Sequence, residues 1–127
     1  MAAEIARLRP TSISTMHRSF SAVARGRARL RRSSLFVPAG RMDKFLPKAL
    51  ASSADSIILD LEDAVAPSVK EDARMQVLAA IQEGGFGARE VAVRANGLDT
   101  PWGEDDIAMI AQSGAHALCL SKVDSIE

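Results

Sequence analysis

A short apolar run that ends in a group of carboxylates constrains the fold of this chain more than any other stretch. The run 57–59 leads directly into Asp60, Glu62 and Asp63, and Pro67 then marks a turn. A short apolar, β-branched run that ends at a turn predicts a strand buried on both faces. Acids at the carboxyl end of such a strand lie where parallel α/β folds bind ligands. The alternative interpretation is a solvated strand end followed by a turn.

Four strand-like runs alternate with three helical patterns along the chain. The predicted strands are 34–38, 56–60, 90–94 and 116–121. The helical patterns are 42–51, 68–83 and 101–113. Strands separated by helices of this length are parallel and cross over in the right-handed sense. The sequence therefore predicts an α/β fold of the order β-α-β-α-β-α-β, and this pattern alone fits both an open sheet and a barrel.

Local signals predict where each helix begins. Pro47 would cost about 3 kcal/mol inside a helix, so the first helix is expected to start near residue 46, with a loop before it. Ser68 and Glu71 have the spacing of a capping box at the start of the second helix. Pro101 is expected at the first position of the third helix, where proline is well tolerated.

Polar side chains follow every predicted strand. Arg41 follows the first strand, the acids 60–63 the second, Arg94 the third and Lys122 the fourth. The carboxyl ends of parallel strands meet at one edge, so these groups are expected on one rim. The turn after the first strand lacks the Gly-x-Gly-x-x-Gly pattern, which disfavours a dinucleotide-binding fold.

The balanced net charge hides two regions of opposite sign. Residues 1–32 contain eight arginines and one acid, Glu4, whereas residues 33–127 contain 8 basic and 15 acidic residues. An Arg-rich, Ser-rich and acid-poor segment is typical of mitochondrial targeting sequences. We therefore expect 1–32 to be a disordered targeting segment, the protein to reside in the mitochondrial matrix, and 33–127 to form the domain. The alternative is a basic arm that binds nucleic acid or anionic lipid.

Composition disfavours several other classes of protein. Aromatic residues make up 4% of the chain and tyrosine is absent, which argues against a stacking platform for single-stranded nucleic acid. Cys119 is the single cysteine, so an internal disulfide and a multi-cysteine zinc site are excluded. No apolar run approaches the roughly 20 residues that span a bilayer. We therefore expect neither a nucleic-acid nor a membrane partner.

Motifs spread over all four predicted strands carry a family resemblance. They are Leu-Phe-Val-Pro-Ala-Gly at 35–40, Ile-Leu-Asp-Leu-Glu-Asp-Ala-Val at 58–65, the run 93–103, and Lys-Val-Asp at 122–124. Together they resemble the citrate lyase β-subunit-like branch of the HpcH/HpaI aldolase superfamily. The resemblance implies about four βα units, the N-terminal half of a phosphoenolpyruvate/pyruvate-type TIM (β/α)8 barrel. It also implies a carbon–carbon lyase that uses Mg²⁺ and acts on a hydroxyacyl-CoA such as citramalyl-, malyl- or citryl-CoA.

The resemblance assigns substrate-binding roles to four residues. Arg94 matches the arginine that grips the substrate carboxylate, a task suited to a planar, permanently charged fork. Lys44 and Lys48 fall near basic positions that reach the CoA phosphates, although solvated lysines on a helix are the alternative. Phe36 stands where some relatives carry tyrosine, so a hydroxyl contact would be lost there.

The acids after the second strand and the lysine after the fourth receive supporting roles. Glu62 and Asp63 are expected to orient the substrate-binding arginine and metal-bound water without binding the metal themselves. Lys122 matches the lysine of a Leu-Pro-Lys-Val-Glu run, in which Ser121 here replaces proline and Asp124 replaces glutamate. No catalytic residue is predicted within this chain.

The resemblance also implies that essential parts lie outside this chain. The family's metal-binding Glu and Asp come from strands five and six, which would follow Glu127. A truncated chain that is inactive alone is therefore expected, from a family whose full-length members are trimers or hexamers. The alternative is a non-catalytic half-barrel that pairs with or binds another subunit.

Overall fold

Four parallel strands in chain order form the centre of the molecule. The computed structural model describes residues 31–124. The strands are β1 (Ser34–Pro38), β2 (Ser56–Asp60), β3 (Glu90–Arg94) and β4 (Ala117–Cys119). Their order in the sheet is β1-β2-β3-β4, and each pair of neighbours is parallel. The predicted α/β class and strand order are confirmed, although β4 is shorter than the predicted 116–121.

Three helices connect the strands. They are α1 (Met42–Leu50), α2 (Lys70–Glu83) and α3 (Gly103–Ser113). Short 3-10 turns, Ala39–Arg41 and Pro67–Val69, precede α1 and α2. Gly114 ends α3 in the left-handed conformation, with φ of 87°, which glycine adopts without steric cost.

The predicted start of the first helix is wrong, because α1 begins at Met42 and contains Pro47. Burial explains this result: Met42 is 5% exposed and Ala49 is 1% exposed, so both ends of the helix are anchored in the core. Helical bonding continues past the proline, since Ala51 N donates to Pro47 O at 3.1 Å. The buried contacts therefore offset the cost of the proline.

The predicted starts of the second and third helices are also wrong. Ser68 lies in the 3-10 turn, and α2 has Val69 as its N-cap with no side-chain capping bond. The third helix starts at Gly103 rather than Pro101. The hydroxyl of Thr100 instead donates to Gly97 O at 2.7 Å within the loop. In both places a local turn competes successfully with the cap, as Ser and Thr often allow.

The two faces of the sheet differ in their cover. Val37, Leu59 and Val93 are at most 1% exposed and belong to the core that contains the buried apolar residues of α1, α2 and α3. Side chains alternate between faces along a strand, so Phe36 and its register partner Ile58 lie on the opposite face. Phe36 is 49% exposed. Within the described residues the helices therefore cover one face, and β1 and β4 form the sheet edges.

The structure reaches two residues that the sequence assigned to the targeting segment. Arg31 and Arg32 pair with Glu90 and Asp55, respectively, at the amino end of the sheet. The rest of the predicted segment, 1–30, lies outside the described residues. No helix within 31–124 is both long and apolar enough to cross a membrane.

Candidate active site

The last residues of two neighbouring strands form a two-pronged ion pair. Asp60 ends β2, Arg94 ends β3, and the two are register partners in the parallel ladder. Arg94 Nε donates to Asp60 Oδ1 at 2.8 Å, and Arg94 Nη2 donates to Asp60 Oδ2 at 2.7 Å. The Asp60 side chain is 3% exposed and that of Arg94 is 24% exposed. The strand register thus places a fixed guanidinium at the carboxyl edge of the sheet.

The surroundings keep both partners charged. Burial opposes ionisation of Asp60, but hydrogen bonds from Arg94 and from Glu62 N, with the charge of Arg94, outweigh it and lower the pKa of Asp60. The hydrogen bond to Asp60 raises the pKa of Arg94, and nearby carboxylates add to this effect against the burial. The pair is therefore a permanent arginine–carboxylate pair at neutral pH.

The loop after β2 adds two further carboxylates. Glu62, 5% exposed, places Oε2 3.1 Å from Arg94 Nη1. Asp63 is exposed, and its Oδ2 lies 3.9 Å from the same nitrogen. Three acids thus surround one guanidinium. The closest contact is made by Asp60, whereas the sequence had assigned the orienting role to Glu62 and Asp63.

Lys122 reaches the same acids from beyond β4. Its Nζ lies 2.8 Å from Glu62 Oε1 and 3.4 Å from Asp63 Oδ1. The contact with Glu62 lacks hydrogen-bond geometry, so this buried oxygen accepts no well-aligned hydrogen bond from the described residues. Proximity to Glu62 and then to Asp63 raises the pKa of Lys122. Lys122 also adopts a φ of 50°, a conformation that is uncommon for residues other than glycine.

The ring of Phe36 packs against the guanidinium of Arg94. Its ring centroid lies 5.1 Å from Arg94 Cζ, within the range of a cation–π contact. The sequence predicted a substrate contact that lacks a hydroxyl at this position. The structure shows an aromatic surface that supports the guanidinium from the uncovered face of the sheet.

The predicted CoA-binding lysines lie apart from this group. Lys44 and Lys48 are exposed on α1. Lys44 Nζ lies 5.4 Å from the Phe45 ring and Arg41 Cζ lies 5.6 Å from it. The structure thus brings together Arg94, the acids and Lys122, and does not bring Lys44 or Lys48 into contact with them.

A cavity of about 270 Å³ lies beside the ion-pair group, between the loops that follow β2 and β3. Glu62, Asp63 and Lys122 line it from one side. Asn96 and Trp102 line it from the other side. Arg94 does not line it, so Glu62 and Asp63, which contact Arg94, connect the guanidinium with the cavity.

Sequence reasoning missed a buried polar network behind these loops. Lys70 Nζ donates to Leu61 O at 2.8 Å, to Glu62 O at 2.6 Å and to Asn96 Oδ1 at 2.6 Å. Asn96 Nδ2 in turn donates to Asp106 Oδ2 at 2.6 Å. Burial lowers the pKa of Lys70, while Asp106 and the other nearby acids oppose that shift. No periodicity or spacing in the sequence signals that a lysine at the start of a helix is buried.

The described residues show no cluster of candidate metal-ligating side chains. Within 31–124, no group of three or more His, Cys, Asp or Glu side chains is arranged to hold a metal ion. The acids of the rim instead face the cations Arg94 and Lys122. Part of their negative charge is therefore compensated by the protein.

Comparison with known proteins agrees with the motifs. A family model described as HpcH/HpaI aldolase/citrate lyase matches residues 32–127. The chain belongs to this family. The predicted family is thereby confirmed, and the parallel sheet with its three helices is consistent with half of the family's TIM-type barrel.

Curated relatives share about two fifths of the aligned residues. The chain is 44% identical over 94 residues to a (3S)-malyl-CoA thioesterase of Cereibacter sphaeroides, covering 74% of this chain and 33% of the relative. It is 42% identical over 97 residues to citrate lyase subunit beta of Leuconostoc mesenteroides, covering 76% and 32%. It is 44% identical over 88 residues to an L-malyl-CoA/beta-methylmalyl-CoA lyase of Cereibacter sphaeroides, covering 68% and 27%. The chain thus spans about a third of the length of these relatives.

Proposed function

We propose that this chain supplies the arginine that binds the substrate carboxylate in a carbon–carbon lyase that acts on a hydroxyacyl-CoA. The substrate class is that of citramalyl-, malyl- and citryl-CoA or a related keto acid. Membership of the HpcH/HpaI aldolase/citrate lyase family supports the reaction class. The geometry of Arg94 supports the role of this part of the protein.

The observation that carries the proposal is the unused bonding capacity of Arg94. A guanidinium has five N–H donors. Asp60 accepts two of them and the nearest oxygen of Glu62 lies against a third. Asp63 Oδ2, at 3.9 Å from Nη1, is too far away to accept a hydrogen bond. Two donors therefore remain, on a side chain that a buried aspartate holds in place and that an aromatic ring supports. A preorganised fork of this kind is suited to a second, incoming carboxylate.

Lys122 and the acids adjust the charge around that fork. Three carboxylates surround Arg94, so without compensation they would repel an anionic substrate. Lys122 lies against two of them, Glu62 and Asp63, and offsets part of their charge. We therefore assign Lys122 to the reduction of this repulsion. Lys44 and Lys48 remain proposed contacts for the CoA phosphates.

A divalent metal, Mg²⁺ by resemblance, belongs to the proposal as a cofactor whose ligands lie outside residues 31–124. When bound, such an ion supplies electrostatic stabilisation of an enolate. The role of this chain is confined to holding and orienting the carboxylate.

A chimera tests the proposal directly. Residues 32–124 replace the matching segment of the L-malyl-CoA/beta-methylmalyl-CoA lyase, and cleavage of L-malyl-CoA is assayed with Mg²⁺. We expect activity, and we expect Arg94→Ala to reduce kcat/KM by about a hundredfold, since two charge-assisted hydrogen bonds to the substrate are lost.

Arg32→Ala is the matched control, because Arg32 also pairs with an aspartate but at the opposite end of the sheet. It is expected to leave kcat/KM within about twofold of the parent chimera. A folded chimera without activity, or an Arg94→Ala variant as active as the parent, would contradict the proposal.

The uncovered sheet face favours a second candidate function, that of a non-catalytic half-barrel that pairs with another subunit. Phe36 is half exposed on that face, and β1 and β4 are sheet edges in the described region. Exposed edges are templates for pairing with another chain. Sedimentation of the purified chain with and without Phe36→Asp would test it; a monomer in both cases argues against self-pairing.

We also propose the mitochondrial matrix as the location and a trimer or hexamer as the state of the complete protein. The charge asymmetry of the sequence supports the first, and family resemblance supports the second. A reporter fused to residues 1–32 tests the location, and a nuclear signal would favour the nucleic-acid arm instead.

A further inference from the structure

Lys70 is a buried lysine whose donors are all occupied. It is 7% exposed at the start of α2. Its three hydrogen bonds run to Leu61 O, Glu62 O and Asn96 Oδ1 at 2.6–2.8 Å. An ammonium has three donors and no acceptor. Although Lys70 lines the cavity, it has no donor left for a ligand.

The Lys70 ammonium is packed among residues that belong to other elements of the fold. The ring of Trp102 lies 5.5 Å from its Nζ. Asn96, its side-chain acceptor, is fixed by Asp106, which is 1% exposed and accepts from Asn96 N at 3.0 Å. Arg74 Nε on α2 donates to the same carboxylate at 2.7 Å. The ammonium is therefore anchored to α2, to α3 and to the loop after β3.

The other end of the network is the backbone of the loop after β2. Lys70 binds the carbonyl of Glu62, whose side chain lies 3.1 Å from Arg94 Nη1. It also binds the carbonyl of Leu61, whose N–H donates to Arg94 O at 3.0 Å. Asp60, by contrast, is held in β2 by the strand ladder. Lys70 thus holds the backbone of Glu62, whose N–H also donates to Asp60 Oδ1 at 2.9 Å, but Lys70 makes no hydrogen bond to Asp60 itself.

We propose that Lys70 is a positioning residue that keeps the Glu62 carboxylate against Arg94 and so sets the orientation of the guanidinium toward a bound carboxylate. This inference rests on the proposed function for its consequence in binding, but not for the contact itself. Removing the ammonium would leave two buried carbonyls and the Asn96 oxygen short of a donor. The loop would then move to reach water, while the Asp60–Arg94 pair remained.

Nuclear magnetic resonance of the 127-residue chain tests the contact without any ligand. The readout is the change that Glu62→Gln causes in the ¹⁵N–¹H resonances of the Arg94 guanidinium. We expect a clear change in the parent chain and less than about a third of that change in a Lys70→Met background, where the contact is already lost. Asp60→Asn should shift the same resonances in both backgrounds, because Asp60 is part of β2 and accepts directly from Arg94.

Glu71→Met is the matched control: it is the next residue of α2, is exposed, and receives the same new side chain. In that background Glu62→Gln should act as in the parent. An equal Glu62→Gln effect in the parent and in Lys70→Met would overturn the proposal, since Lys70 would then be a purely structural residue.

A titration with pyruvate, used as a small keto-acid probe, measures the consequence for binding. Lys70→Met should weaken pyruvate binding by about tenfold. This is the low end of the loss in affinity that is typical when a residue that orients a ligating group is removed. Absence of pyruvate binding to the parent chain would count against the proposed function alone, because the ligand-free experiment still decides the role of Lys70. Pyruvate affinity unchanged in Lys70→Met would overturn the proposal.

Lys70→Gln serves if the methionine variant does not fold. Its amide keeps two donors but is shorter than lysine, so it cannot serve all three acceptors. The Glu62→Gln effect on Arg94 should fall below about half of its parent value. Full retention of that effect in a folded Lys70→Gln chain would refute the positioning role.

Discussion

Each end of the sheet carries an arginine–aspartate pair, and the two pairs differ mainly in their surroundings. At the amino end, Arg32 Nη2 donates to Asp55 Oδ1 at 2.8 Å and Nε to Oδ2 at 3.0 Å. At the carboxyl end, Arg94 contacts Asp60 at 2.7 and 2.8 Å. The Arg32 side chain is 73% exposed, whereas that of Arg94 is 24% exposed.

The difference shows that pair geometry alone does not mark a functional site. The amino-end pair ties an incoming segment to the sheet in contact with water, where ion pairs are screened and weak. The carboxyl-end pair is shielded, lies beside two further acids and a lysine, and leaves donors of its arginine unused. The same two residue types thus fasten the chain at one end and, at the other, hold the arginine that we propose as the binding group.

The largest difference between the two ends is expected in the stability that is lost when the charge of each aspartate is removed. Asp60→Asn leaves the shielded Arg94 without its main partner, and we expect it to lower the free energy of unfolding by about 3 kcal/mol. Asp55→Asn should cause a much smaller loss because its partner stays hydrated. Urea unfolding measures both values. Equal losses would show that shielding does not distinguish the pairs.

A methyl group at Gly103 should also destabilise the carboxyl end of the sheet, through a steric clash rather than the loss of an ion pair. A Cβ there would lie 2.2 Å from Gly97 O and 2.7 Å from Gly97 C, so the backbone of the cavity-lining loop must shift. Gly103→Ala should therefore lower the free energy of unfolding by about 1–3 kcal/mol. Glu104→Ala, at the exposed neighbouring position, is the control. A stable Gly103→Ala variant would imply that this loop adapts freely.

Lowering the pH should reduce the stability that both arginine–aspartate pairs contribute, in overlapping ranges of pH. The native pKa of each aspartate lies below its unfolded value of about 3.9, so each stabilises the fold above that pH and loses its contribution as the pH falls through the native pKa. For Asp55, whose hydrogen bond from Arg32 lowers its pKa to about 2, the window is roughly pH 4 to 2. Asp60→Asn and Asp55→Asn should each flatten the acid limb of the stability curve. An acid limb unchanged in Asp60→Asn would refute the lowered pKa of Asp60.

Added salt should produce the smallest of these differences between the two arginine–aspartate pairs. Raising the ionic strength from about 0.1 M to about 1 M shortens the Debye length from roughly 10 Å to 3 Å. The coupling energy of Arg32 with Asp55 should fall, while that of Arg94 with Asp60 should change less. Double-mutant cycles at both salt concentrations measure the two couplings. A larger salt effect at the shielded pair would reverse the comparison.

Hydrophobic pattern was sufficient to predict the sheet. The runs around Ile57 and Val91 carry clear strand signals, and their buried cores and parallel order follow from the helices between them. Helix starts were not predictable in the same way, because the burial of Met42 decides one of them and is a tertiary effect. The capping signal at Ser68 failed for a different reason, because a local 3-10 turn formed there instead.

The site was predictable only in part. Arg94, Glu62 and Lys122 were marked as strand-end polar groups, and the structure brings them together. The closer role of Asp60 depends on strand register, which a sequence does not state. Lys70 escaped notice because its burial arises when two loops and two helices meet around it, and a lysine is by default assigned to solvent.

The strand order β1-β2-β3-β4 has a consequence for biosynthesis. Each of β2, β3 and β4 pairs with the strand made immediately before it, so each of these pairings can form as soon as the later strand has been synthesised. A chain leaving the ribosome from its amino end can therefore add one βα unit at a time to an existing template. The direction of translation and the direction of sheet growth coincide, and during synthesis one growing strand edge remains exposed until its successor arrives.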